Sequence, residues 1–244
     1  MFSDAAAAEI GVDARSHQRF LNEFYTGRFK GSFAHGLPFQ ENPETGDMRI
    51  SGTAASLCGL ERARADGDEE ELDLAIRRIL LMHGVIMTIG GIPLLYLGDE
   101  IGALNDYEES DPGRIGDSRW IHRSVFDWDA AEQRHDRETH VGRIHAGLLR
   151  LAQIRQQNLA FARADTEIID TGNNHVFGYF LQHDEQSMLV LANFSEKEQT
   201  LSARRLRLLG LRKTLTDIAN GRIIIAAQEL SLEPYQLVIL PAAR

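Results

Sequence analysis

The chain has 244 residues, and its 43% hydrophobic and 25% charged residues are ordinary proportions for a globular protein. A formal net charge of −10 argues against non-specific binding to nucleic acid or to an anionic membrane. The single cysteine, Cys58, excludes an internal disulfide framework and is expected to be a small core residue. No apolar run reaches the roughly 18 residues of a transmembrane helix, and no basic leader precedes an apolar stretch, so we expect a cytoplasmic protein.

The first part of the chain contains three stretches with helical character. Residues 4–10 are rich in alanine, and residues 13–28 carry aromatic side chains at helical spacing. Residues 72–87 predict the clearest helix, whose apolar face includes His83. We expect His83 to be a hydrogen-bonded core histidine rather than a ligand. The charged run 62–71 predicts a solvated connection between helices.

Glycine and proline recur through residues 31–53 and predict an irregular loop. The same segment carries Phe33, Phe39, Gln40 and Arg49. Aromatic faces and directed hydrogen-bond donors together suit a sugar or another polar ligand. A surface loop packed by its own aromatic residues is the alternative, and the local pattern alone favours that alternative.

Residues 90–100 predict a buried parallel strand that delivers a loop to a functional face. The run 92–97 is apolar and bounded by glycines, as in strands covered on both sides. Asp99 and Glu100 follow directly, at the strand end where α/β folds place ligands and catalytic groups. A buried strand with a solvated acidic loop is the alternative.

The remainder of the chain predicts a long loop, a helix and then a region of short strands. Residues 98–135 form a long charged loop around Trp120, which is typical of functional loops. Residues 141–156 predict an amphipathic helix. From about residue 160, short β-prone runs separated by turn signals such as Asn220-Gly221 predict a small antiparallel β domain.

Together these features resemble the α-amylase family of glycoside hydrolases, and in finer detail its amylosucrase branch. Residues 91–102 are similar to the eighth barrel strand of that family, and the β tail is similar to its C-terminal sandwich domain. The finer resemblance lies in residues 28–34, 38–40, 42–43, 45–47, 49, 51–55, 117–120 (Asp-Ser-Arg-Trp), 122–123, 155–156, 193–195 and 234–236.

The resemblance implies an α/β region followed by an all-β region. It divides the chain into three parts. Residues 1–65 would be an acceptor-side subdomain inserted after strand seven of a (β/α)8 TIM barrel. Residues 66–160 would be the end of that barrel, with helix seven, strand eight and helix eight. Residues 161–244 would be a small antiparallel β-sandwich domain.

The resemblance also implies a reaction, namely retaining transfer of glucose from sucrose to an α-1,4-glucan or maltooligosaccharide with release of fructose. That chemistry needs two carboxyl groups about 5–5.5 Å apart and no cofactor. The family segments that carry these carboxylates have no counterpart in the chain. We therefore expect a truncated, C-terminal portion without catalytic residues that is inactive in isolation. A sucrose hydrolase or α-glucosidase of the same family, or a non-catalytic carbohydrate-binding fragment, are the alternatives.

Three residues match substrate-binding positions of the family. Gln40 and Arg49 match positions that bind the fructosyl unit of sucrose and then the acceptor. Arg119 matches an arginine that pairs with an aspartate from the missing segments and closes the glucose pocket, so Arg119 is expected to be unpaired here. Asp99 and Glu100 do not match catalytic positions and are expected to be structural. The nine histidines show no HxH or HExxH spacing, so no metal site is expected.

Overall fold

The computed structural model describes residues 4–107, 116–183, 186–211 and 214–242. The chain divides into two compact units, one made of residues 1–75 and 97–132 and the other of residues 76–96 and 133–244. Among the described residues, no helix has both the length and the apolar composition needed to cross a membrane.

The first unit is built from short helices, turns and one small hairpin. Its helices are α1 (Asp4–Glu9), α2 (Ala14–Tyr25), α3 (Ala54–Leu57), α4 (Leu60–Asp66), the start of α5 (Glu69–Thr88) and α6 (Trp128–Ala131). Its strands are β1 (Leu37–Phe39) and β2 (Arg49–Ser51), and 3₁₀ turns lie at Asp99–Ile101 and Ser118–His122.

Local capping explains where these helices begin. The Asp13 side chain accepts a hydrogen bond from the Ser16 amide at 2.7 Å at the start of α2. Hydrogen bonding by the Ser16 side chain and by this amide lowers the pKa of Asp13. Thr53 caps α3 by accepting from the Ser56 amide at 3.1 Å. Gly67, with φ of +66°, ends α4 in the left-handed conformation that glycine adopts without strain.

The helices predicted over residues 4–10 and 13–28 are confirmed as α1 and α2. The prediction of a solvated connection at 62–71 is wrong, because that run contains most of α4 and the first turn of α5. Charged residues also favour the exposed faces of helices, so charge alone did not indicate a loop. The irregular segment 31–53 contains the unpredicted hairpin β1–β2.

The second unit is an antiparallel sheet covered by helices and small strand pairs. The sheet has the order β10 (Leu237–Ala242), β5 (Gln186–Asn193), β4 (Val176–His183), β3 (Asp165–Ile169). Two further antiparallel pairs join β6 (Gln199–Leu201) to β9 (Leu230–Leu232) and β7 (Thr214–Thr216) to β8 (Ile223–Ile225). The other helices are the rest of α5, α7 (His140–Gln157), α8 (Ala160–Arg163) and α9 (Ala203–Leu208), with a 3₁₀ turn at Glu132–His135 between the units in sequence.

Alternate residues of the central strands enter two different cores. Tyr179 and Leu181 of β4 pack with Phe161 of α8 and Ile154 of α7. Phe180, between them in sequence, packs in the opposite core with residues of α9 and the two small strand pairs. This is the two-residue period of a sheet buried on both faces. The predicted antiparallel β region is therefore confirmed, as are the helices at 72–87 and 141–156.

Two buried polar side chains in this unit, His83 and Tyr179, are hydrogen-bonded. His83 is almost fully buried, and its Nδ1 lies 2.8 Å from the carbonyl oxygen of Ile79, so the expectation of a core histidine is confirmed. The Tyr179 hydroxyl lies 2.6 Å from the Thr88 hydroxyl, and burial raises the pKa of Tyr179 to about 12.

Residues 92–97 are neither buried nor a strand, contrary to the prediction. Ile92 is 97% exposed, Leu94 79% and Leu97 68%. Arg155 of α7 donates a hydrogen bond to the Gly91 carbonyl oxygen at 2.6 Å and fixes the start of the segment. A strand needs a ladder of backbone hydrogen bonds, and no described strand pairs with these residues.

Candidate functional site

The hairpin β1–β2 brings Gln40 and Arg49 to the same end of two short strands. Phe39, the last residue of β1, is the register partner of Arg49, and Gln40 follows Phe39 directly. Gln40 has φ of +53°, a conformation that residues other than glycine rarely adopt. Both predicted sugar-binding side chains are exposed.

The connection between β1 and β2 is held by local hydrogen bonds. The side-chain oxygen of Asn42 accepts from the Glu44 amide at 2.9 Å, and the Asn42 amide donates to the Asp47 carbonyl oxygen at 2.7 Å. Gly46, with φ of +69°, supplies the left-handed residue of the turn. This part of the predicted irregular loop is thus an ordered turn within a hairpin.

The 3₁₀ turn Ser118–His122 places Arg119 against the same hairpin. The Ser118 hydroxyl donates to the carbonyl oxygen of Pro38 at 2.8 Å. The Arg119 guanidinium carbon lies 4.9 Å from the centroid of the Phe39 ring, within the range of a cation–π contact. The structure therefore gathers the three residues selected from the sequence around Phe39, which is next to Gln40, pairs with Arg49 and contacts Arg119.

Arg119 is paired, so the expectation that it lacks a partner is wrong. Its Nε and Nη2 donate to the two carboxylate oxygens of Asp117 at 2.9 and 2.7 Å. These side-chain hydrogen bonds, together with the Arg119 amide, lower the pKa of Asp117 to about 2. The same contact raises the pKa of Arg119. Asp117 also begins the 3₁₀ turn, and the Asp-x-Arg spacing is the sequence signal that could have revealed the pair.

A polar network that the sequence did not reveal supports this unit. Asn105 donates through its side-chain nitrogen to the carbonyl oxygen of His35 at 2.7 Å. Its side-chain oxygen accepts from the Thr53 amide at 2.8 Å, and its own amide donates to the Ser56 hydroxyl at 3.0 Å. One asparagine thus joins the segment before β1 to the start of α3.

Glu61 of α4 extends the network. One of its carboxylate oxygens accepts from the Tyr107 hydroxyl at 2.6 Å and lies 3.2 Å from Nδ1 of His35. Burial, reinforced by the hydrogen bond to Glu61, raises the pKa of Tyr107 to about 12. The network fixes the backbone on both sides of the hairpin.

The acidic pair after residues 92–97 is engaged in a local turn. The Glu100 carboxylate accepts a hydrogen bond from the Gly98 amide at 2.8 Å, and Asp99 begins the 3₁₀ turn Asp99–Ile101. Among the described residues, no group of three or more histidine, cysteine, aspartate or glutamate side chains could hold a metal ion.

Residues 167–240, which include strands β4 to β9 and the first four residues of β10, match the family model described as the amylosucrase C-terminal domain. This β domain is amylosucrase-like. The resemblance to the α-amylase family drawn from the sequence is therefore confirmed, and its most specific support lies in the second unit.

A curated relative of the chain is the glucosylglycerate phosphorylase of Escherichia coli. The two are 24% identical over 177 residues, which is 72% of this chain and 29% of the relative. The chain thus spans less than a third of the length of that enzyme.

Solved structures of α-amylase-family enzymes share the fold. The structure of AmyP with maltotriose matches with a TM-score of 0.56 and 16% identity, over 72% of this chain and 39% of that one. The trehalulose synthase MutB from Pseudomonas mesoacidophila, in a structure with its substrate sucrose, matches with a TM-score of 0.52 and 18% identity, over 68% of this chain and 38% of that one. The relatives are glycosyl-active enzymes, and the match of each structure is one of fold.

Proposed function

We propose that the chain is the C-terminal portion of an amylosucrase-like enzyme that transfers glucose from sucrose to an α-1,4-glucan and releases fructose. The observation that carries the proposal is the match of residues 167–240 to the amylosucrase C-terminal domain. Sugar ligands in the related structures, among them sucrose and maltotriose, support a carbohydrate substrate. A cytoplasmic location belongs to the same proposal.

Gln40, Arg49 and Arg119 form the proposed sugar-contacting group of this chain. Gln40 and Arg49 supply directed donors at the end of the hairpin, where they would contact the fructosyl unit and later the acceptor. The Phe39 ring offers an apolar surface of the kind that sugar rings contact. Arg119 has five N–H donors, and its bidentate bond to Asp117 leaves donors for a second acceptor in the glucose pocket.

The proposal assigns residues 1–65 to the inserted subdomain, residues 66–160 to the end of a TIM barrel and residues 161–244 to the C-terminal domain. Residues 92–97 would be the eighth barrel strand. Their exposed apolar side chains and unpaired backbone support this assignment, because further barrel strands would cover both. The catalytic carboxylates would then come from polypeptide beyond these 244 residues, and the chain alone would be inactive because it cannot close a barrel.

The test measures activity and binding of the chain separately. Incubated with sucrose, the purified chain should release no fructose. Saturation-transfer NMR should detect weak binding of sucrose or fructose, and Arg49→Gln and Gln40→Ala should each reduce the signal. Arg19→Gln removes a charge from an exposed position of helix α2 and is the matched control. Fructose release by the chain would overturn its inactivity, and an equal loss in the Arg19 variant would overturn the proposed site.

Phosphorolysis of glucosylglycerate is the second candidate, because the curated relative bears that activity in its name. Competition between sucrose and glucosylglycerate in the same NMR experiment separates the two. Displacement of sucrose by a much lower concentration of glucosylglycerate would favour the phosphorylase. A sucrose hydrolase would bind sucrose but not respond to added maltooligosaccharide, and binding of maltooligosaccharide alone would favour a non-catalytic carbohydrate-binding chain.

A further inference from the structure

A basic cavity in the second unit is separate from the proposed sugar-contacting group. Its volume is about 350 Å³, and its lining includes Arg204, Arg205, Thr171, Thr200 and Ser202 but no carboxylate among the described residues. Residues 199–211 contain three arginines and no acidic residue, within a chain of net charge −10. Two of these arginines therefore line the cavity, and the Asp170 carboxylate pairs with one of them, Arg205.

The Arg205 guanidinium is held in place and retains an unused donor. Its Nη2 lies 3.2 Å from the Asp170 carboxylate and also donates to the Asp170 carbonyl oxygen. Gly172 packs against the Arg205 side chain. A Cβ atom added at residue 172 would lie 3.7 Å from the Arg205 Cδ. The Arg205 Nε is buried and has no acceptor in the part of the chain that the structure describes.

Other donors line the same cavity. The Ser202 hydroxyl accepts from the Arg205 amide at 3.2 Å, which leaves its own hydrogen to be donated. Thr200 and Arg204 are both exposed at the cavity, and their side chains make no hydrogen bond to any described residue. The cavity thus combines two guanidinium groups with hydroxyl donors.

We propose that this cavity binds a phosphate group, either as free phosphate or as the phosphate of a small phosphorylated sugar. Guanidinium groups form short, charge-assisted and often paired hydrogen bonds with phosphate oxygens, and hydroxyl groups complete the shell. The concave shape and volume suit a small molecule. The strongly negative net charge disfavours a nucleic acid or an anionic membrane as the occupant.

Isothermal titration calorimetry at constant ionic strength tests the proposal with inorganic phosphate, glucose 6-phosphate and glucose. Arg204→Gln and Arg205→Gln should each weaken phosphate binding about tenfold, the usual effect of losing a hydrogen bond between charged groups. Arg207→Gln is the matched control, because Arg207 lies on the same helix and carries the same charge but does not line the cavity. Binding to this variant should be unchanged.

The remaining measurements keep the outcome interpretable. Arg205→Gln also removes the contact with Asp170, so thermal melts must show that the variant is folded, whereas Arg204 makes no bond to a described residue.

Tighter binding of glucose 6-phosphate than of phosphate assigns the site to a phosphorylated sugar, and equal binding assigns it to free phosphate. Absence of binding, equal binding of glucose, or an equal loss in the Arg207 variant overturns the proposal. Stronger binding of a polyanion such as heparin, weakened equally by all three substitutions, also overturns it. Sugar binding near Phe39 is measured independently, so failure of either proposal leaves the other intact.

Discussion

Asp217 is a buried carboxylate that joins the β7–β8 hairpin to strand β10, and its removal should be costly. The side chain is 0% exposed, and one oxygen accepts from the amides of Ala219 at 3.0 Å and Ile239 at 2.9 Å. Asp217→Ala leaves both amides without an acceptor, and each such loss costs about 1–3 kcal/mol. We therefore expect the free energy of unfolding to fall by about 2–6 kcal/mol. Asp217→Asn keeps an acceptor oxygen, so its effect at neutral pH should be within about 1 kcal/mol.

The pH dependence of stability separates the charge of Asp217 from its hydrogen bonds. Burial raises the pKa of Asp217 above 3.8, although the amides of Ile239 and Ala219 oppose the shift. A carboxyl group with a raised pKa binds its proton more tightly in the folded state. Its contribution is therefore complete below the unfolded pKa and is lost as pH rises through the folded pKa. The asparagine variant lacks this titration, so its stability relative to the wild type should improve as pH rises through that window.

Urea unfolding followed by circular dichroism, on the wild type and both variants from acidic to neutral pH, measures these quantities. Glu229→Gln removes a charge from an exposed position and serves as the control. An Asp217→Ala variant within about 0.5 kcal/mol of the wild type would refute the assigned role of the hydrogen bonds, since surface substitutions alone fall in that range. A difference between wild type and Asp217→Asn that does not change with pH would refute the raised pKa.

Three further predictions concern other contacts. Arg119→Gln should move the pKa of Asp117 from about 2 toward its ordinary value of 3.8 in a carboxyl NMR titration, and an unchanged value would show that Arg119 is not the cause. Gly142→Ala should lower the free energy of unfolding by more than about 3 kcal/mol, because the new Cβ would lie 1.8 Å from the carbonyl oxygen of Asp136. Gly147→Ala on the same helix should cost less in urea unfolding, because its Cβ meets the methyl groups of Leu80, which can move. Tyr179→Phe removes a buried hydrogen bond of 2.6 Å and should cost about 1 kcal/mol, so an unchanged denaturation midpoint would contradict the bond.

The long regular elements could be predicted from the sequence because their signals are local. Helices α5 and α7 repeat apolar residues at helical spacing over several turns, and β4 and β5 are long apolar runs between turn residues. By contrast, β6 and β9 have three residues each and the helix between them has six, which is too short for a period to be visible. Their packing on the sheet, rather than their own pattern, makes them regular.

The candidate site was only partly predictable, for a similar reason. The resemblance selected Gln40, Arg49 and Arg119 one at a time, and nothing local in the sequence places Arg119 beside Phe39. That contact depends on the Ser118 hydrogen bond to the hairpin, which is a tertiary interaction. The role inferred for Arg119 also assumed a distant carboxylate as its partner, whereas a carboxylate two residues away has the advantage of proximity along the chain.

Residues 92–97 show why an apolar run alone specifies neither burial nor a strand. Exposure of the apolar side chains of Ile92 and Leu94 to water is unfavourable, and the cost in free energy grows with the exposed area. Exposure of their backbone groups costs little free energy, because water forms hydrogen bonds with exposed amides and carbonyls. An unpaired extended chain is therefore tolerated there. A strand requires a partner that provides both a hydrogen-bond ladder and apolar cover, and the sequence of the segment specifies only its own side of that pairing. The composition that predicted a buried strand therefore makes the segment favour association with an apolar, strand-forming polypeptide.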